Sequence, residues 1–138
     1  MTNTTRLTYL RYALIATGAI YIGGIYALTK LWPSGWSWGM GHSHYLPMIL
    51  GVYATLGVFL IRASRDPLAH ESLIWFTIWS NVVHAVVMAA EAIVDPAEIG
   101  HLWGDVPALL LVAVLLGALM PKGRAVVSST TTGARRAA

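Results

Sequence analysis

Cysteine is missing from the sequence, which excludes disulfides, thiolate metal sites and thiol redox chemistry. Charge is scarce. Asp, Glu, Lys and Arg make up 11% of the 138 residues, where a soluble domain carries about 25%. Too few polar residues remain to coat the outer faces of a soluble helical bundle. No nucleic-acid partner is expected. Apolar side chains are plentiful, at 57% of the chain. The expected partner is the lipid bilayer, and the expected class is all-α and membrane-embedded.

Residues 12–29, 45–61, 72–90 and 106–121 carry no full charge. A spanning helix needs roughly 17–25 mostly apolar residues. The expected architecture is therefore a four-helix transmembrane bundle in one domain, residues 1–121, with spans at about 9–31, 45–62, 71–94 and 105–121. The fourth span is short unless His101, Leu102 and Trp103 extend it. The basic, low-complexity tail 122–138 reads as disordered. A basic region before an apolar core also fits a signal peptide. Span one is long for that, and no clear small-x-small cleavage site follows, so an uncleaved start is expected.

Basic residues are placed unevenly. Arg6 and Arg11 precede span one, Arg62 and Arg65 follow span two, and Lys122, Arg124, Arg135 and Arg136 follow span four. The loop between spans one and two holds only Lys30, and the loop between spans three and four holds neither Lys nor Arg. The positive-inside rule then places both termini in the cytoplasm, here of a bacterial cell with the chain in its inner membrane. Span one also carries Ala19, Gly23 and Ala27, four apart. Small residues at that spacing let helices approach closely in lipid. Packing inside the bundle is the favoured reading, and a homo-oligomer face is the alternative.

"NVVHAVVMAAEAIVD", residues 81–95, places Asn81, His84, Met88, Glu91 and Asp95 in one of the most apolar parts of the chain. On a helix with His84 at zero, Glu91 lies at about −20°, Asp95 at about +20°, Met88 at about +40° and Asn81 at about +60°. They form one stripe. Ionisable groups within a membrane face the bundle interior or a wet cavity, so the stripe is expected to point inward. His84 is level with Tyr53 of span two and Tyr21 of span one. Glu91 and Asp95 are level with the loops that carry His42, His44, His101 and Asp105.

These residues suggest a polar site at the outer end of the bundle. Imidazole and carboxylate suit a transition metal, Cu or Zn, with His42, His44, Glu91, Asp95, His101 and Asp105 as candidate ligands. Asn81, His84, Met88, Glu91 and Tyr53 are the candidates for holding a small apolar ligand. Plainer roles compete. Met88 packs, Asp95 caps a helix end beside Pro96, and His101 and Asp105 organise their turn. Whether the chain is an enzyme stays open. If it is, His84 and Glu91 would exchange protons with a lipid-soluble substrate. As a third class, the chain is an accessory subunit of a larger membrane complex.

Span three, "WFTIWSNVVHAVVMAAEAIVD", resembles the helices of small bacterial four-helix membrane families of the DoxX-like kind. It is also similar to the sterol-isomerase superfamily, which holds His and Glu inside a membrane bundle. That resemblance implies a helical bundle but assigns no catalytic residue. The superfamily's His and Glu lie about one turn apart, whereas His84 and Glu91 lie about two turns apart.

Overall fold

The computed structural model describes residues 2–38 and 44–121. His42 and the tail 122–138 lie outside the described residues. Among the described residues, all regular secondary structure is helical.

The first span begins at Asn3 rather than near residue 9, because Thr2 caps it. The Thr2 hydroxyl accepts from the Thr5 N–H at 3.2 Å. Helix α1 (Asn3–Ala19) runs through a π-helical turn (Ile20–Gly24) into α2 (Ile25–Leu31), which gives one apolar rod of 29 residues. A short α3 (Pro33–Trp36) follows, opened by proline at its first position. The second span is α4 (Tyr45–Ala63), and the third is a 3₁₀ turn (Leu68–His70) continued by α5 (Glu71–Val94). The fourth is α6 (Asp105–Leu119), lengthened by a 3₁₀ segment (Pro96–Leu102) ahead of it. That segment, with His101 and Leu102 in it, supplies the length the fourth apolar stretch lacks.

Four helices are thus long and apolar enough to cross a membrane. Large apolar side chains cover the outside, among them Phe76, Val86 and Val114, each more than 60% exposed. The interior is thin. Leu10 and Leu14 of α1, Leu60 of α4, Ile74 of α5 and Leu116 of α6 are fully buried in one cluster. Arg6 donates to the Ala118 and Met120 carbonyls at 3.2 and 3.4 Å. A guanidinium there answers the free carbonyls and negative dipole end of α6. It also fixes the chain start beside the end of span four.

Two glycine contacts set the packing. A Cβ on Gly18 would stand 2.6 Å from the Gly57 carbonyl oxygen, and one on Gly57 would stand 2.6 Å from the Gly18 oxygen. The first and second spans therefore touch backbone to backbone. The expected small-residue stripe is not that contact. Ala19, Gly23 and Ala27 lie on the exposed side, and a Cβ on Gly23 would meet nothing within 4 Å. The inward face of span one falls one residue earlier, on Thr17, Gly18 and Tyr21. At the other end of the bundle, Gly100 and Gly104 press against the backbone of Ser34 and Gly35. That contact locks the two inter-span connections together over the ends of α4, α5 and α6.

Candidate functional site

The inward face of α5 consists of Ile74, Thr77, Ile78, Asn81, Ala85, Met88 and Ala92. On the scale that sets His84 at zero, these residues centre at about +70°. The polar stripe lies partly on that face and partly on its edge. Asn81 and Met88 are buried, His84 is half-buried, and Glu91 is exposed. Asn81 forms the deepest polar link. Its Oδ1 accepts from the Tyr21 hydroxyl at 2.7 Å, and its Nδ2 donates to the Thr77 carbonyl at 2.7 Å. This side chain ties the first span to the third in the buried interior.

One layer towards the connections, the Tyr53 hydroxyl and His84 Nδ1 share a hydrogen bond of 2.7 Å between α4 and α5. The Tyr53 ring meets Tyr21 edge-on, with centroids 4.8 Å apart and planes at 84°. So the two layers are joined through an aromatic contact. Met88 is held by Trp38, whose indole N–H points at its sulfur at 3.2 Å.

The outermost layer is built by the connections. His101 is fully buried. Its Nδ1 lies 2.7 Å from Asp105 Oδ2, and its Nε2 lies 3.3 Å from Glu98 Oε2. Trp38 stacks on the ring, with centroids 4.6 Å apart and planes at 17°. The spacing Glu98, His101, Asp105 follows helical periodicity, three residues and then four, which brings all three side chains together.

A pocket opens between these layers. Ile25, Leu46, Ile49, Leu50, Met88 and Leu109 supply apolar lining, and Trp36 and Trp38 line it from the connection. Tyr53, His84 and Asp105 supply its polar groups. Its cavity volume is about 90 Å³. Two of these lining residues, Trp36 and Asp105, each carry a buried polar atom, Nε1 and Oδ1, with no hydrogen-bond partner among the described residues. Asp105 is 8% exposed.

Among the described residues, the expected metal site is not assembled: no three His, Asp or Glu side chains stand so as to hold a metal ion. The reason is visible residue by residue. His101 and Asp105 are engaged with each other, and each His101 nitrogen already faces a carboxylate. Asp95 is exposed and caps the following turn, accepting from the Ala97 N–H at 3.0 Å. Glu91 is exposed, and His44 sits exposed before α4. His42 lies outside the described residues.

Of the ligand-site candidates, Tyr53, His84 and Met88 line the pocket. Asn81 lies behind them, bonded to Tyr21. Glu91 does not line it. Tyr21, Trp36, Trp38 and Glu98 take part in these layers without having been candidates. Only Glu98 had a local signal, its helical spacing from His101. Tyr21 was legible only through its depth, level with His84, and Trp36 and Trp38 are long-range partners that no spacing reveals.

Four helices long and apolar enough to cross a membrane, an apolar exterior and polar layers confined to the interior and one end are the features of a small helical membrane-protein class. Within that class, the chain belongs to DUF6632, a family of unknown function whose family model matches residues 4–137. No curated protein and no solved structure matches the chain.

Proposed function

We propose that this protein binds a small, mainly apolar molecule inside the membrane, in the pocket at the connection end of the bundle. One observation carries the reading. The pocket combines apolar and indole walls with a few convergent polar groups, Tyr53, His84 and Asp105. Its cavity volume of about 90 Å³ lies below the roughly 300–1,000 Å³ usual for drug-sized ligands, so it suits a small molecule or one group of a larger one. The polar groups fix orientation while the apolar walls supply affinity. Binding is favoured over proton transfer between His84 and Glu91, because Glu91 does not line the pocket that His84 lines. The charge bias supports an N-in, C-in arrangement in a bacterial cytoplasmic membrane, with the pocket near the outer surface.

The test uses tribromoethanol, a small apolar quencher of tryptophan fluorescence, on protein in phosphatidylcholine nanodiscs. Trp36 and Trp38 line the pocket, whereas Trp79 and Trp103 are exposed. The expected result is a saturable quenching component above a linear background. Ile49→Phe narrows the pocket from an exposed position and removes the saturable part. Quenching that is linear throughout, or unchanged in the variant, overturns the proposal.

A further inference from the structure

We infer that the ligand of this pocket is an organic cation, a protonated amine on an apolar body. The inference rests on the pocket reading above and deepens it. It starts from Asp105. One oxygen of this carboxylate faces His101, at 2.7 Å. Asp105 lines the pocket, and its other oxygen, Oδ1, is buried with no hydrogen-bond partner among the described residues. Leaving such an atom unmet carries the desolvation penalty of the group with nothing to offset it, and more so when the group is charged. An ordered water meets it only where further polar partners surround that water, and the walls here are mostly apolar.

The chemistry of the missing partner follows from the group it must satisfy. A carboxylate oxygen only accepts. Its strongest complement is a charged N–H donor, which forms shorter and roughly twice stronger hydrogen bonds than a neutral one. Among the described residues, no Lys or Arg lines the pocket. An inorganic cation fits poorly, because hard cations gather about six or more oxygens. The pocket offers one free carboxylate oxygen among apolar and indole walls. Indole walls suit an organic cation, since they attract positive charge and bury alkyl groups. The site lies at the end of the bundle, where a charged head need not cross the hydrocarbon core.

Competition against the saturable tribromoethanol signal tests this. The probes are octylamine and 1-octanol, equal in chain length and differing in the charged donor, each corrected for partition into the nanodisc lipid. Octylamine is expected to displace the quencher at a concentration at least tenfold lower than 1-octanol. Asp105→Asn is expected to abolish that preference. Equal competition by the two probes in the wild-type protein overturns the inference while leaving the pocket intact. A preference that survives Asp105→Asn overturns it too. Should that variant not fold, the wild-type comparison decides alone. Absence of any saturable quenching is a different failure, that of the pocket itself.

Discussion

His101 shows how a buried polar side chain is held in a bundle this thin. Two carboxylates flank one ring that has no exposure, and Trp38 covers its face. Removing one member of a buried charged cluster leaves the others uncompensated, at about 3–5 kcal/mol. His101→Ala is therefore expected to lower stability by about that amount, read by thermal unfolding in detergent, whereas His44→Ala on the exposed side stays within about 0.5 kcal/mol. Similar unfolding temperatures for the two variants would remove the cluster from the account of the fold. The Tyr21–Asn81 bond is smaller. Interhelical hydrogen bonds in membrane proteins average about 0.6 kcal/mol and reach about 1.7. Tyr21→Phe should cost about 1 kcal/mol, and Asn81→Leu added to it should cost little more through that bond, since the two share it. A double-mutant cycle checks this, and full additivity would mean the bond contributes nothing.

At the level of elements, close approach decides which glycines matter. Gly18 and Gly57 face each other across the first and second spans with no room for a methyl group. Overpacking of that kind costs about 1–3 kcal/mol. Gly57→Ala should be destabilised by that much, while Gly23→Ala, with nothing within 4 Å, should be neutral or slightly stabilised through helix propensity. Denaturant unfolding of the pair measures the contrast, and equal losses would refute the backbone contact. This contact was not legible in the sequence. The Ala19, Gly23, Ala27 spacing was conspicuous, but a stripe of small residues does not say which face of a helix turns inward. The same limit applies to α5. Its polar stripe pointed towards the interior, yet the packed face centres about 70° from His84, set by Ala85 and Ala92 as much as by Asn81. Glu91 lies two turns beyond His84, close enough to the membrane edge for a carboxylate to remain exposed. The spans themselves were legible, because a bilayer imposes a length and forbids charge over it. The tyrosine–histidine pair was legible in part, through matching depth on two spans. Trp36 and Trp38 were not, because the connection that carries them is placed by its contact with the next one.

For the whole molecule, the asymmetry of charge and the asymmetry of the site run along the same axis. Arg6 sits where span one starts and span four ends, and Arg62 and Arg65 lie at that same end of α4. The pocket, the His101 cluster and the tryptophans of the first connection occupy the opposite end. A positive-inside arrangement makes the first end cytoplasmic and opens the pocket towards the outer leaflet. An organic cation arriving from outside would then reach Asp105 without crossing the hydrocarbon core, where a charged group costs at least about 2.5 kcal/mol. Orientation and ligand class thus support each other while remaining separately testable. The lack of native cysteine gives a clean background for single-cysteine labelling. Ala97→Cys, exposed on the second connection, should react with a membrane-impermeant maleimide in intact bacterial cells. Thr4→Cys, exposed near the start of the first span, should react only after lysis. The reverse pattern would turn the pocket towards the cytoplasm and make its cation a cytosolic one, with the chemistry at Asp105 unchanged.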